Sequence, residues 1–172
     1  MTGSTRETGF AVIGGGIVGA SVAYGLAKAR EDVLLFDEGD KAFRASNGNF
    51  GLVWVQAKGG MLPAYAPWAL RARHEWSDFH SELLEATGID VEPELDGGLF
   101  ICFTEEELAE RKALLDRLSP FAPDFDYEVL PLAQARKHLR HLTGVAGATW
   151  SQLDGACNPM KLLRALLEGT QK

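Results

Sequence analysis

The sequence predicts an α/β fold, α+β overall, that opens with a parallel βαβ unit and continues into part of an antiparallel sheet. Residues 10–13 form a short apolar run, glycines follow at positions 14, 16 and 19, and residues 32–37 form a second apolar run that ends in an acid. Apolar runs of this length are typical of strands buried on both faces. Two strands and one helix cannot cover both faces of a sheet, so we expect the fold within these 172 residues to be incomplete.

The composition is that of a foldable chain and argues against two kinds of partner. Hydrophobic residues make up 46% and charged residues 24% of the sequence, and the net charge is −7. These values exclude a disordered chain and disfavour a nucleic-acid-binding surface. The uncharged residues 10–27 superficially match a membrane span, but their glycines would weaken such a helix, so we predict no membrane span. The two cysteines indicate free thiols in a reducing compartment, and hence a cytoplasmic protein.

The glycines at 14, 16 and 19 have the G-x-G-x-x-G spacing of a phosphate-binding turn. Gly14 permits the tight turn, Gly16 lets a pyrophosphate approach the backbone, and Gly19 lets the next helix pack closely on the strand. Asp37 follows at close to the ~20-residue interval of the carboxylate that binds a ribose hydroxyl pair, and it disfavours the 2′-phosphate of NADP. Glu38 is the competing carboxylate. A helix-packing turn without ligand remains the alternative.

A helix is predicted directly after the turn. Its first residues, Ile17 and Val18, would direct free N–H groups and the positive end of the helix dipole at the phosphates. Val18, Val22 and Leu26 recur at helical spacing, so we expect them to form one apolar, buried face. Strand, glycines, helix, strand and acid thus occur in the order that a Rossmann-like βαβ unit requires.

Beyond residue 40 the chain does not continue as an NAD-binding domain would. The segments VIGGGIVGASVAYGLA, VLLFDEGD and RASNGNFG resemble the FAD-dependent amino-acid and amine oxidoreductases of the D-amino-acid oxidase superfamily, and DGGLFICFTEEEL and LDGACNPMKLLRAL extend the resemblance along nearly the whole chain. The resemblance implies that residues 8–55 are the N-terminal part of an FAD-binding domain. It makes residues 56–150 a partial substrate-binding domain and residues 151–172 a helix that returns to the FAD-binding domain.

The resemblance also assigns the glycine-rich loop to FAD. Arg44, Ala45, Ser46 and Asn47 would lie along the pyrophosphate or ribityl chain, and Asn49, Phe50 and Gly51 would pass close to the isoalloxazine ring. The small polar side chains and glycines of this loop suit such contacts, although a polar surface loop would have a similar composition. The sequence has no His or Cys between Arg44 and Trp54, so we predict noncovalent FAD.

The remaining chain offers local patterns that predict individual elements. Apolar spacing predicts a long amphipathic helix over residues 68–87, and Asp-Gly turn chemistry predicts a β-hairpin of residues 89–95 and 99–103. Thr104 and Glu107 have the spacing of a capping box, and Asn158 before a proline predicts a helix start. Asp154 fits a turn better than an active site.

The activity implied by the resemblance is oxidation of the C–N bond of an amino acid or amine by hydride transfer to flavin N5. The sequence identifies no catalytic residue, since the family's substrate-binding Arg or Tyr often lie further along the chain. It identifies no metal site, because His74 and His80 would point to different helix faces. The expected partners are a small-molecule amino acid or amine and a completing chain or homo-oligomer. A dehydrogenase would lie peripheral to the inner membrane.

Two other functions stay open at this point. The chain could be a noncatalytic dinucleotide-binding or interaction module, including a truncated fragment, or it could be an NAD-dependent reductase. The sequence does not distinguish an oxidase from a dehydrogenase.

Overall fold

The computed structural model describes residues 7–39, 45–139, 141 and 143–171. The strands are β1 Phe10–Ile13, β2 Val33–Phe36, β3 Leu52–Val53, β4 Gly98–Cys102, β5 Glu128–Pro131, β6 Gly147–Ser151 and β7 Gly155–Ala156. The helices are α1 Ile17–Lys28, α2 Tyr65–His74, α3 Trp76–Thr87, α4 Glu105–Leu118, α5 Leu132–His138 and α6 Pro159–Gly169, with short 3-10 helices at Ala45–Asn47 and Ser119–Phe121.

The chain divides into two compact units that do not follow the sequence continuously. The first unit comprises Met1–Gly51, Asp78–Glu92 and Cys157–Lys172, and the second comprises Leu52–Ser77 and Pro93–Ala156. These units are defined by contacts, so the functional assignment of the segments 8–55, 56–150 and 151–172 stays a prediction.

The first unit contains the predicted βαβ arrangement. β1 and β2 pair in parallel, with Phe10 opposite Val33 and Ile13 opposite Phe36, and α1 connects them. On the far side α1 packs against α6, where the ring of Tyr24 lies against Gly169.

The predicted burial of this unit is wrong in two respects. The buried face of α1 consists of Ala20, Ala23 and Tyr24, whereas Val18 and Val22 are 75% and 50% exposed. β1 is also largely exposed, and Ile13 is 80% exposed. The physical reason is that the described residues place only one further strand beside β1, so the apolar side chains have no layer to pack against.

The second unit is built around an antiparallel sheet in the order β4-β6-β5. The predicted hairpin of residues 89–95 and 99–103 is wrong, because β4 pairs with β6, with Leu99 opposite Trp150. Residues 89–95 contribute one bridge, between Glu94 and Ala156. The N–H of Gly97 donates to the carbonyl of Asp154, so the Asp-Gly turn serves a partner far along the chain. The predicted short strand at 127–130 is confirmed as β5.

The helices of the second unit close over one core. Its members are buried apolar side chains from the segment after β3, from α2, from α4 and from the loop beyond it, namely Val55, Ala66, Leu70, Leu115, Leu118, Ala122 and Phe125. The predicted capping box of Thr104 and Glu107 is present. The single helix predicted over 68–87 is instead two helices that meet at Glu75, whose ψ of −7° interrupts the helix without changing the apolar spacing.

A buried polar network ties the second unit together, and the sequence did not reveal it. Oδ1 of Asp154 accepts hydrogen bonds from the N–H groups of Val55 (2.6 Å) and Gln56 (3.2 Å), and Oδ2 accepts from Nε2 of Gln56 (2.6 Å). Oε1 of Gln56 accepts from the Thr149 hydroxyl (2.6 Å) and from Nη2 of Arg111 (3.3 Å). Burial raises the pKa of the Asp154 carboxyl, and these hydrogen bonds and the Arg111 charge oppose the shift.

Two further sequence predictions can be compared with the structure. Cys102 and Cys157 are free and buried, as predicted. Within the described ranges, no helix is long and apolar enough to cross a membrane.

The first prediction concerns the Asp154 network. Asp154→Asn replaces Oδ2 by an amide that faces the amide of Gln56, donor against donor, so we expect a loss of about 1–3 kcal/mol in the free energy of unfolding. Urea unfolding followed by tryptophan fluorescence measures this change. Asp124→Asn, at an exposed position, is the matched control and should leave the midpoint unchanged. Equal stability of the two variants would contradict the assigned network.

The second prediction concerns Tyr24, whose hydroxyl donates to Glu82 at 2.9 Å. Burial, followed by the Glu82 carboxylate, raises the pKa of Tyr24 from 10.0 to about 12. The resulting stabilisation is complete below the ordinary pKa of 10.0 and is lost as the pH rises towards 12. Glu82→Gln should lower the pKa of Tyr24 yet leave it above 10.0, because burial is the larger cause. Ultraviolet titration of the phenolate, with Tyr24→Phe to identify the transition, measures this; an unchanged transition in Glu82→Gln would refute the coupling.

Candidate cofactor site

The turn after β1 is shaped by glycine backbone that other residues adopt poorly. Gly14 has φ +101°, and its N–H donates to the carbonyl of Phe36 at 2.7 Å. This bond ties the turn to the end of β2. Gly16 is the N-cap of α1 and has no side chain to occupy the helix end, and the first turn of α1 contains no acid. The end of the helix therefore keeps its positive dipole unneutralised by its own first turn.

Gly19 sets the distance between α1 and the turn. A Cβ at this position would lie 1.8 Å from the carbonyl oxygen of Gly14, far inside van der Waals contact. The close packing predicted for this glycine is therefore confirmed. The helix approaches the turn closely enough for its first N–H groups to lie beside the backbone of Gly14 and Gly16.

Ser46 reaches the same helix end from the loop after β2. Its hydroxyl oxygen accepts a hydrogen bond from the N–H of Ile17 at 2.9 Å, and a Cβ on Gly16 would lie 3.0 Å from that oxygen. The hydroxyl can still donate its own hydrogen to a ligand. The structure thus brings together three of the residues that the sequence pointed to, from two distant parts of the chain.

Asp37 closes the other side of the turn. Its Oδ2 accepts a hydrogen bond from the N–H of Gly15 at 2.6 Å, and its Oδ1 accepts from the N–H of Gly39 at 2.9 Å. A carboxylate offers about four acceptor positions, so it can accept from backbone N–H groups and from ribose hydroxyls together. Neither Gly15 nor Gly39 was singled out as a partner of Asp37 from the sequence.

A cavity of about 410 Å³ lies at this end of the two strands. It is lined by Ile13, Gly14, Gly16, Phe36, Asp37 and Glu38. The cavity combines two exposed apolar side chains with carboxylates and glycine backbone, a lining suited to a flat base joined to a sugar and phosphates. Sequence reasoning missed Ile13 and Phe36 as lining residues. The available signal was their position at the carboxyl ends of parallel strands, where ligands bind in open α/β sheets.

The loop that follows Ser46 is held by its own side chains. Asn49 donates from Nδ2 to the carbonyl of Ser46 at 2.8 Å and accepts at Oδ1 from the N–H of Gly51 at 2.7 Å. Gly51 has φ +70°, and a Cβ there would lie 2.0 Å from the carbonyl oxygen of Cys157. Phe50 is 87% exposed. In this structure Gly51 serves a close approach to Cys157, and its contact with a flavin stays a prediction.

The remaining predicted site residues are less informative. Val18 is exposed at the start of α1, and Ala45 and Asn47 bound the short 3-10 helix that carries Ser46. Arg44 lies outside the described residues. The glycine turn, Ile17, Ser46, Asp37 and Glu38 are thus brought together at one place, whereas Asn49, Phe50 and Gly51 form the adjoining loop.

These residues fit a dinucleotide by three independent observations. The helix end carries glycine where a side chain would collide with Ser46, the carboxylate of Asp37 is held at the end of β2 by backbone N–H groups, and the cavity beside both has apolar walls. The fold and this site define the class of dinucleotide-binding proteins with a parallel βαβ unit.

Comparison with known proteins identifies the family. Residues 10–172 match the family model DAO, FAD dependent oxidoreductase, and the chain belongs to this family. The match confirms the family resemblance and the FAD cofactor that the sequence predicted. It also confirms the predicted fold class, because the structure superposes on that of glycine oxidase from Geobacillus kaustophilus with a TM-score of 0.81 at 28% identity.

The chain spans less than half the length of its relatives. An opine oxidase polypeptide from Agrobacterium tumefaciens (strain Ach5) is 36% identical over 165 residues, which cover 93% of this chain and 44% of that protein. Glycine oxidase from Bacillus subtilis (strain 168) is 26% identical, with 93% and 42% covered. The Geobacillus kaustophilus structure is matched over 97% of this chain and 45% of its own.

The third prediction tests the packing at the turn. Gly19→Ala forces α1 away from Gly14, so we expect a loss of more than about 1 kcal/mol in the free energy of unfolding, as for other overpacked sites. Gly25→Ala, in the same helix with nothing within 4 Å of the added carbon, should instead stabilise by about 0.5–1 kcal/mol. Thermal or urea unfolding of both variants measures the contrast. Similar effects of the two substitutions would contradict the close approach.

Proposed function

We propose that this chain supplies the adenosine-diphosphate half of the FAD site in an oxidoreductase that acts on the C–N bond of an amino acid or amine. The observation that carries the proposal is the convergence of the α1 N-terminus, the Ser46 hydroxyl and the Asp37 carboxylate around the glycine turn and its cavity. Each group suits a different part of the same ligand.

The α1 N-terminus would hold the pyrophosphate. The N–H groups of the first turn point out of the helix, and the dipole favours negative charge at this end. Gly16 leaves room for a phosphate oxygen, and Ser46 would accept from the N–H of Ile17 while donating its hydrogen to that oxygen. No acid lies in the first turn of α1 to repel the phosphates.

Asp37 would bind the ribose. It follows β2 directly and lines the cavity, and its two hydrogen bonds to backbone N–H groups orient the carboxylate. Glu38 lines the same cavity and is the competing ribose ligand. The apolar side chains of Ile13 and Phe36 would then contact the adenine.

The loop from Arg44 to Gly51 would continue along the cofactor towards its ring. We propose that Arg44, Ala45, Ser46 and Asn47 follow the pyrophosphate and ribityl chain, and that Asn49, Phe50 and Gly51 approach the isoalloxazine. The absence of His and Cys between Arg44 and Trp54 supports noncovalent attachment through this loop.

FAD, when bound, would accept a hydride at N5 from the carbon that carries the substrate nitrogen, and the resulting imine would hydrolyse in water. The relatives support this substrate class, since they include an opine oxidase and glycine oxidases. The chain's own residues would bind and orient the cofactor, as proteins do for flavins in general.

Further polypeptide would complete the FAD-binding unit. In the described residues, the β1–β2 sheet has two strands, and Ile13, Val18, Val22 and Phe36 expose at least half of their side-chain area. Apolar surface on this scale marks an interaction site. We infer that residues outside this sequence, in the same or in a second polypeptide, cover this surface, as the longer relatives suggest.

The fourth prediction tests the cofactor site. The chain should bind added FAD, with the visible absorption bands of oxidised flavin retained after gel filtration. Gly16→Val should weaken binding at least tenfold, about 1.4 kcal/mol, because its side chain would enter the phosphate position and meet Ser46. Gly25→Ala, on the opposite part of α1 from the site, should bind FAD like the parent. Uptake of NAD in preference to FAD would favour a reductase, and equal FAD binding by Gly16→Val would refute the site.

A further inference from the structure

The two edges of the antiparallel sheet in the second unit are chemically different. β5, at one edge, carries Glu128 and ends at Pro131. Charges and prolines are devices that prevent an edge strand from pairing with another chain. β4, at the other edge, has the sequence GLFIC, without a charge or a proline. Among the described strands, only β6 pairs with β4.

A groove of about 680 Å³ runs between this unprotected edge and α4. Phe100, Ile101 and Phe103 line it on the strand side, and Phe100 and Phe103 are 41% and 55% exposed. Leu114 contributes further apolar surface from α4. Partly exposed aromatic residues beside a free strand edge are typical anchors of a protein interface.

The floor of the groove is rigid because Arg111 supports it from below. The guanidinium carbon lies 3.9 Å from the centroid of the Phe100 ring, and the side chain donates to Thr149 and Gln56. Arg111 is only 7% exposed. Phe100 is therefore held in place before any partner arrives, which reduces the entropy lost on association.

The charges along the groove complement themselves. α4 contributes Glu107 and Glu110 near its start and Arg117 near its end. If two copies of α4 lie antiparallel around their middle, Glu107 of each copy comes opposite Arg117 of the other. Such reciprocal pairing is what a two-fold symmetric interface requires.

We propose that β4 pairs with β4 of a second copy of this chain, in antiparallel orientation across a two-fold axis. The two three-stranded sheets would join into one continuous sheet, and the two α4 helices would lie side by side on one face of it. The aromatic side chains of β4 would fill the groove between them. This inference does not depend on the proposed cofactor or reaction.

Sedimentation velocity of the 172-residue chain over a concentration series tests the proposal. We expect a monomer–dimer equilibrium that Ile101→Lys weakens at least tenfold, since a charge protects an edge strand from pairing. Phe10→Lys is the matched control at the exposed sheet of the first unit and should leave the dimer unchanged. Hydrogen exchange should show the β4 amides becoming protected as the concentration rises.

A charge variant at an exposed position keeps the test valid if Ile101→Lys fails to fold. Arg117→Glu should weaken the dimer by about threefold or more, because two like-charged pairs then face each other. The effect should be smaller in a Glu107→Gln background, which retains the capping box. A chain that stays monomeric, with β4 amides either exposed or covered by another segment, would overturn the proposal. So would a dimer insensitive to Ile101→Lys and Arg117→Glu, or one that Phe10→Lys abolishes.

Discussion

The approach of α1 to the glycine turn is the constraint on which the site depends. Because Gly19 lacks a side chain, the helix can lie against the carbonyl of Gly14. That position brings the N–H of Ile17 within reach of Ser46 and leaves the helix end open towards the cavity. Asp37 then fixes the turn from the other side through the N–H of Gly15. A single close contact thereby sets the relative places of phosphate-binding backbone, hydroxyl and carboxylate.

The two units are stabilised in different ways. In the first unit the helix α1 uses small side chains and Tyr24 on its inner face and leaves valines exposed, which is the pattern of a subdomain that needs further cover. The second unit has a closed apolar core and a satisfied polar network around Asp154 and Gln56. Such a network fixes side-chain geometry as well as adding stability. We therefore expect the second unit to be the more self-sufficient of the two.

The sequence was most informative where the constraint was local. The glycine spacing and the acid after β2 predicted the turn, its parallel strands and the family, because each depends on residues within one βαβ unit. The pairing of β4 with β6 could not be predicted, since an Asp-Gly turn indicates a hairpin and carries no information about a distant strand. Periodicity also placed Val18 and Val22 inside, because an apolar stripe does not reveal whether its covering layer is present. Gln56 and Arg111 were missed because polar residues are by default assigned to the surface.

The contact between Gly51 and Cys157 has a consequence for synthesis of the chain. The N–H of Cys157 donates to the carbonyl of Gly51, and the 3-10 helix that carries Ser46 packs against α6. During translation the βαβ unit emerges first, but its loop has no support until α6 has left the ribosome. The nascent chain would therefore expose an unsupported glycine-rich loop for most of the synthesis of these residues, which makes premature stops before α6 a source of misfolded product.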